Sequence, residues 1–454
     1  MSAALPVMSS PVNRQILRLA LPSIVSNITV PLLGLCDVAI AGHLGDAAYI
    51  AAIAVGSMVF NTMYWMLGFL RMCTSGLTAQ ALGARRLDEA TLRLAQGLAL
   101  GFFLGCLMVV SQWPLRELSL CLMGPSVEVA SLARTYFDIC IWGAPAVLSL
   151  YALSGWPVGM QNTRLPMMTA ICQNVANIAV SFLLVFGLGW RIEGVATGTV
   201  AAQWLGFFFA LGETLREYGP QRLRRWLLAG TPFRGLLTFA IHLPKTDFSR
   251  FFAPSRDLFL RTLCLVAVNF YFTAQGASQG ALVLAANTLL LQLFLLFSYV
   301  ADGFAFAGEA LSGRHWGAGN PAALRATVGW LFAWGGVLSL LFSTAYALAG
   351  TSLLGVLTDN ADVVRLATSY LPWVVAVPFC SIAAFLFDGI FVGLTATRGM
   401  LWSSLLATLG FFAVWLLLRD PLGNHALWLA QLVYLAVRGA SQAAIYRHIA
   451  CTHQ

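Results

Sequence analysis

The chain has 454 residues, of which 59% are hydrophobic and only 10% charged, with a formal net charge of +8. Soluble domains carry about 25% charged residues, so this composition excludes a soluble multidomain protein and identifies an all-α integral membrane protein. The nine cysteines form no CxxC pair, the six histidines no HExxH spacing, and the lone lysine, Lys245, follows Pro244. A disulfide frame, a zinc centre and an ATP-binding GxxxxGK loop are thereby excluded, and no metal or organic cofactor is expected.

Apolar stretches long enough to cross a bilayer fall at about 15–42, 49–81, 94–113, 130–160, 166–188 and 193–215. A second set follows at about 257–278, 281–311, 326–350, 363–395, 399–418 and 424–446. In the first span Asp37 is the only formally charged residue between Leu19 and Gly42. A charge at a helix centre costs roughly 2.5–3.5 kcal/mol on insertion scales, so chains keep one mainly where it faces a protein interior or an aqueous cavity. Pro22 and Pro31 lie on the same span and give it places to bend, and Asn27 and Thr29 add polarity.

In the second span Met58, Met63, Tyr64, Trp65 and Met66 are either ordinary packing or the lining of a permissive pocket, with Met63 and Tyr64 as cleft candidates. Arg71 lies within the same span and calls for an acidic partner. Span five carries Asn174 and Asn177, with Ser181 one turn beyond Asn177 on the same face; span six carries Thr199 and Gln203 at the same spacing. Such amides and hydroxyls either complete a carboxylate's hydrogen bonds or hold helices together. In the second half Asp302 and Asp388 are the acids placed to face a cleft, while Glu309, near the cytoplasmic end of its span, is read as solvated or paired.

Charge assigns the sides. Twenty cations fall on one side: Arg14, Arg18, Arg85, Arg86, Arg93, Arg164, the nine of the basic connection from Arg216 to Arg261, Arg314, Arg325, Arg398, Arg438 and Arg447. Five fall on the other: Arg116, Arg134, Arg191, Arg365 and Arg419. The positive-inside rule makes both termini cytoplasmic in a bacterial inner membrane. The same rule explains the basic connection without a nucleic-acid partner, and the excess charge attracts anionic lipid.

The two halves align at an offset of 234 residues. Gly155-Trp-Pro-Val-Gly159-Met-Gln-Asn-Thr163-Arg164 returns as Gly389-Ile-Phe-Val-Gly393-Leu-Thr-Ala-Thr397-Arg398, and Gly83-Ala84, Tyr136 and Ala51-Ala52 map to Gly317-Ala318, Tyr370 and Ala285-Ala286. Six spans per copy make the repeats parallel, which predicts two pseudo-symmetric six-helix lobes. The expected division is an N-lobe over 1–216, a cytoplasmic basic linker over 217–256 and a C-lobe over 257–454. The offset sets Tyr271 opposite Asp37, so the second copy has no equivalent acid.

Several stretches, among them LPSIVSNITVPLLGLCD, FLRMCTSGLTAQALGA, DGFAFAGEALSG, DGIFVGLTATR and LGNHALWLA, resemble those of the MATE multidrug and toxic compound extrusion transporters, and within them the DinF-like branch. The resemblance covers nearly the whole chain. It implies twelve transmembrane helices in two lobes, a cleft open alternately to each side, and export driven by proton or sodium entry. Carried over residue by residue, it makes Asp37 the coupling acid, Pro22 the hinge, and Asn177 and Thr199 its polar companions. Many relatives have an aspartate one turn after that asparagine, where this chain has Ser181.

With one carboxylate in that set, proton exchange is the expected coupling, with sodium as the alternative. The expected function is a secondary active multidrug antiporter exporting cationic or amphiphilic toxic compounds, acting as a monomer among membrane lipids. A lipid-linked precursor flippase of the same superfamily is the alternative. It favours a cleft rich in arginine, and by sequence only Arg71 lies deep in a span. An enzyme is not expected, because no nucleophile–base or metal constellation is visible.

Overall fold

The structure, a computed structural model, describes residues 11–42, 47–219 and 245–452, and these contain helices and no strand. The predicted linker cations Arg222, Arg224, Arg225 and Arg234 lie outside the described residues. The first half holds α1 (Pro11–Gly42), α2 (Ala47–Met66), α3 (Phe69–Gly83), α4 (Leu87–Val110), α5 (Gln112–Met123), α6 (Val127–Cys140), α7 (Ala144–Gly159), α8 (Arg164–Phe182) and α9 (Ile192–Tyr218). The second half holds α10 (Lys245–Ser278), α11 (Ala281–Gly317), α12 (Pro321–Leu357), α13 (Ala361–Leu394), α14 (Thr397–Leu422) and α15 (Asn424–Thr452).

Two pairs act as single spans. A short joint at Leu67–Gly68 links α2 to α3, and a 3-10 turn, Ile141–Gly143, links α6 to α7. With α5 set aside as too short at 12 residues, twelve spans result among the described residues, as the hydropathy predicts. Ten of them are apolar as well as long; α1 and α15, with 32 and 29 residues, are long enough to cross.

Local chemistry sets the helix ends. Asn320 and Asn360 accept hydrogen bonds from the first-turn amides of α12 and α13. Gly124 stops α5 in a left-handed conformation, where a Cβ is disfavoured. Pro378 lies inside the continuous helix α13, and hydroxyls of α12 bond carbonyls beside it: Ser343 donates to the oxygen of Val375 at 2.7 Å and Ser339 to that of Pro378 at 3.0 Å. Such side-chain-to-backbone bonds join neighbouring helices inside a membrane.

α5 lies outside the spans and is tied down by charge. Arg116 pairs with Asp138 of α6, and Glu117 accepts from both Arg116 and Arg134, at 3.0 and 3.1 Å. Arg134 beside Glu117, then Arg116, hold its carboxyl below the ordinary glutamate value. A lowered acid contributes stability above its unfolded pKa and loses it as pH falls through the folded one. Glu117→Gln is therefore expected to lower the melting temperature slightly at neutral pH. The difference should vanish on acidification below the ordinary carboxylate range, and melting scans of both proteins across pH check this. A difference that instead grew towards acid pH would contradict the pairing.

The duplication is written into the packing at the same offset of 234. A Cβ on Gly155 would collide with the backbone oxygen of Arg71, and one on Gly389 with that of Ala305. Gly159 and Gly393 meet the oxygens of Ser75 and Glu309, each at 2.5 Å from the position of a Cβ. Gln161 and Thr395, again equivalent, are both non-glycine residues at positive φ, 64° and 53°. In one place the copies exchange sizes: Thr74 faces Gly97 across α3 and α4, while Gly308 faces Leu331 across α11 and α12. Each copy fills the same space from the opposite helix, which conserves volume at the contact.

The chain divides into two compact units. One runs from Val25 to Ser255; the other joins the first turns of α1, up to Ile24, to everything from Arg256 onward. The boundaries fall inside α1 just after Pro22 and inside α10 just after Pro254. In the second unit Trp334 donates to Asn13 at 2.7 Å, and Gly303 lies against Ala20 and Ile24. In the first unit Ser255 contacts Cys73 at 3.3 Å.

Candidate functional site: Asp37 and its polar neighbours

Asp37 is 3% exposed and lies in the first unit beside α8 and α9. Thr199 of α9 donates to its Oδ2 at 3.2 Å, and Asn177 of α8 donates through Nδ2 to the Thr199 hydroxyl at 3.1 Å. The same hydroxyl is within 3.0 Å of the Val195 oxygen one turn back. A threonine hydroxyl has one proton, so Asp37 and the helix carbonyl compete for it. Oδ1 of Asp37, the side-chain oxygen of Asn177 and the Ser181 hydroxyl are buried without a hydrogen-bond partner among the described residues.

Small residues and an irregular helix allow this approach. A Cβ on Gly198 would strike Ser181, so only glycine lets α9 come this close to α8. Just beyond Ser181 the helix widens into a π turn, Leu183–Gly187, a feature common at functional sites. Asn174 donates to the backbone oxygen of Thr29 at 2.7 Å and so fastens α8 to α1. Tyr136 and Cys140 of α6 lie near enough to feel the charge of Asp37, and sequence reasoning singled out neither for the site. Gln203 stands apart, its side-chain oxygen against Gly143.

Tyr64 is 9% exposed, its backbone oxygen accepts from Tyr151, and its ring lies 5.8 Å from that of Phe60. Met63 beside it is half-buried, and Pro22 sits within the unbroken helix α1. Arg71 is half-buried, and its charge acts on Tyr151.

The equivalents of the acid site in the second unit are apolar or aromatic. Tyr271 stands where the first copy has Asp37, Phe411 where it has Asn177, and Trp415 where it has Ser181. These residues also meet: Trp415 donates to the Tyr271 hydroxyl at 3.1 Å, and the Tyr271 and Phe411 rings are 6.2 Å apart. One copy keeps an ionisable pocket and the other has filled it with rings.

Asp388 lies elsewhere in the second unit. Its Oδ2 accepts from Arg261 of α10 and lies 3.4 Å from Arg438 of α15, and its Oδ1 accepts from Gln442 at 2.7 Å. The placing of Arg261 in the basic connection and of Arg438 among the cytoplasmic cations is thus corrected, and so is the reading that Arg71 alone lies deep in a span. Helix α10 starts at Lys245, which puts Arg261 well inside it, and Arg438 is halfway along α15. Arg93, also counted with the loops, is 1% exposed and paired with Glu89 at 2.8 Å. Glu309 is buried rather than solvated, at 1% exposure. Asp302 is half-buried on α11, and its charge acts on Arg438. Arg438 and Gln442 are four residues apart inside an apolar run, a signal present in the sequence. Among the described residues no group of acids, histidines and cysteines is arranged to hold a metal.

The MatE family model matches the chain twice, over residues 22–183 and 258–418. This chain belongs to the MATE family. The starts of the two matches lie within two residues of the offset read from sequence. The MATE relatives include DNA damage-inducible protein F of Escherichia coli strain K12, 38% identical over 96% of this chain and 92% of that protein. The probable multidrug resistance protein NorM of Synechococcus sp. is 27% identical over 94% of this chain and 92% of its own length. Among solved structures, the bent form of the Vibrio cholerae MATE transporter VcmN superposes with a TM-score of 0.85 at 18% identity, covering 97% of this chain and 98% of that one. An outward-facing multidrug resistance MATE transporter of the MOP superfamily gives 0.85 at 16% identity, covering 100% and 99%. At these identities the structural likeness establishes the shared fold with its two repeated lobes.

Proposed function

We propose that this MATE family member is a secondary active exporter of toxic amphiphilic compounds, working by alternating access in exchange for protons taken up at Asp37. The observation that supports this best is the buried Asp37 among neutral partners, Thr199, Asn177 and Ser181. A hard cation asks for several oxygen ligands, commonly including more than one carboxylate, whereas one buried acid suits a single proton. In this mechanism ionised Asp37 holds the Thr199 proton. Protonation releases that hydroxyl to the Val195 carbonyl, slackening the hold of α9 on α1 and letting α1 bend at Pro22. Transport follows when substrate and proton favour different arrangements of the lobes.

The charge bias supports an inner-membrane placement with both termini cytoplasmic; moving three buried arginines out of the loop count leaves it strongly one-sided. A monomer surrounded by lipid, with no nucleic-acid partner, completes the reading. A lipid-linked precursor flippase is the second reading, favoured by the buried Arg261 and Arg438. The test is dye efflux from proteoliposomes under a pH gradient and, separately, under a sodium gradient. Efflux driven by inward proton movement alone is the expected result; efflux driven only by sodium overturns the proton assignment.

A further inference from the structure

We propose that the cluster of Arg261, Arg438 and Gln442 around Asp388 binds the anionic head of an amphiphile, a carboxylate, sulfonate or phosphate on an apolar body. The site is separate from Asp37 and lies wholly within the second unit. Two guanidinium groups, each with five N–H donors, converge with one carboxamide on a single carboxylate. The Nε groups of both arginines are buried without a partner among the described residues.

Of the other acids nearby, Asp257 does not take up these donors. Asp257, one turn before Arg261 on α10, is engaged by Arg256 at 3.1 Å and by Thr397 at 3.2 Å. Asp302 acts on Arg438 from α11 by its charge. Burying two cations is costly unless their donors are met, and a planar oxyanion meets a guanidinium fork with two parallel hydrogen bonds.

Position and surroundings favour an amphiphile. The arginine side chains are 6% and 4% exposed, whereas that of Asp388 is 13% exposed, so the internal anion is the most exposed of the three charged groups. Asp388 then acts as a tethered stand-in that an incoming anion displaces. The Arg438 guanidinium lies 5.9 Å from the Phe385 ring centre and 5.7 Å from that of Tyr434, which provides apolar wall beside the charge.

The sign of the variant effects tests this. Full-length protein in phosphatidylcholine nanodiscs is titrated, with no ion gradient, with a dansyl-tagged undecanoate and with a dansyl-tagged quaternary ammonium of the same length. A parallel set in discs containing phosphatidylglycerol separates a lipid head from a soluble amphiphile, since a bound lipid competes with the carboxylate probe. Arg438→Gln and Arg261→Gln are expected to weaken carboxylate binding about tenfold each, and Asp388→Asn to tighten it by a similar factor, with the ammonium probe unaffected. Gln442→Leu removes a donor without uncovering a charge; it is expected to weaken binding less and serves if an arginine variant does not fold. Carboxylate binding that is absent, unchanged by all four variants, or weakened by Asp388→Asn would show that the cluster is a closed structural network. The proposal extends the export reading to a substrate class. Because binding is measured without a gradient, its failure is distinguishable from a failure of coupling at Asp37.

Discussion

Asp37→Asn is expected to abolish gradient-driven efflux while leaving the protein folded. The amide is close in shape to the carboxylate and keeps an oxygen to accept from Thr199, which lies 3.2 Å from Asp37 Oδ2. Only the ability to take up and release a proton is lost. Because Thr199, Asn177 and Ser181 are all neutral, no neighbour in the set substitutes for it. The fall in pH-driven efflux should be at least about tenfold, since a coupling of a few kcal/mol between proton and substrate is removed. Thermal stability should hold or rise, as a buried carboxylate no longer needs compensation. Efflux and melting temperature measured on the same preparation decide the matter, and undiminished efflux would remove Asp37 from the mechanism.

Gly389→Val is expected to have the largest effect on stability, with Gly155→Val close behind. In each, a Cβ would collide with a backbone oxygen of the facing helix, Ala305 or Arg71, and backbone cannot rotate away as a side chain can. Overpacking of this kind costs about 3 kcal/mol when the helices must separate. Close approach through small residues is also what holds membrane helices together where lipid offers no hydrophobic drive. Gly329 and Gly336 on α12 face open space, so Gly329→Ala and Gly336→Ala should be neutral or stabilising by up to about 1 kcal/mol. Melting temperatures of the four variants in one lipid system test the contrast. Equal stability of Gly389→Val and Gly329→Ala would show that the helices slide apart at no cost.

The two glycine motifs illustrate what was legible in the chain. Their recurrence at 234 residues could be read from the letters, and the structure gives the reason for it: each glycine meets the equivalent backbone atom in its own unit. Asp37, Asn177 and Thr199 were likewise visible as polar residues in apolar spans, and they meet. Asn174 was visible too, but it grips the α1 backbone rather than the acid. Gly198, Tyr136 and Cys140 carry no signal of their own, because small, aromatic and thiol side chains are ordinary in apolar helices.

Sequence alone determined the membrane class, the twelve spans, the duplication and the lone acid of span one. Each is a property of composition or of spacing along one chain, and hydrocarbon enforces it helix by helix. Only the tertiary structure decided which charges are compensated. Asp388 stood in the sequence as a cleft candidate, another acid in an apolar helix. It is instead clasped by Arg261, 127 residues away in sequence, and by Arg438, while Asp37 has neutral neighbours. Charge compensation depends on which helix faces meet, and that is settled by packing between segments far apart in the chain.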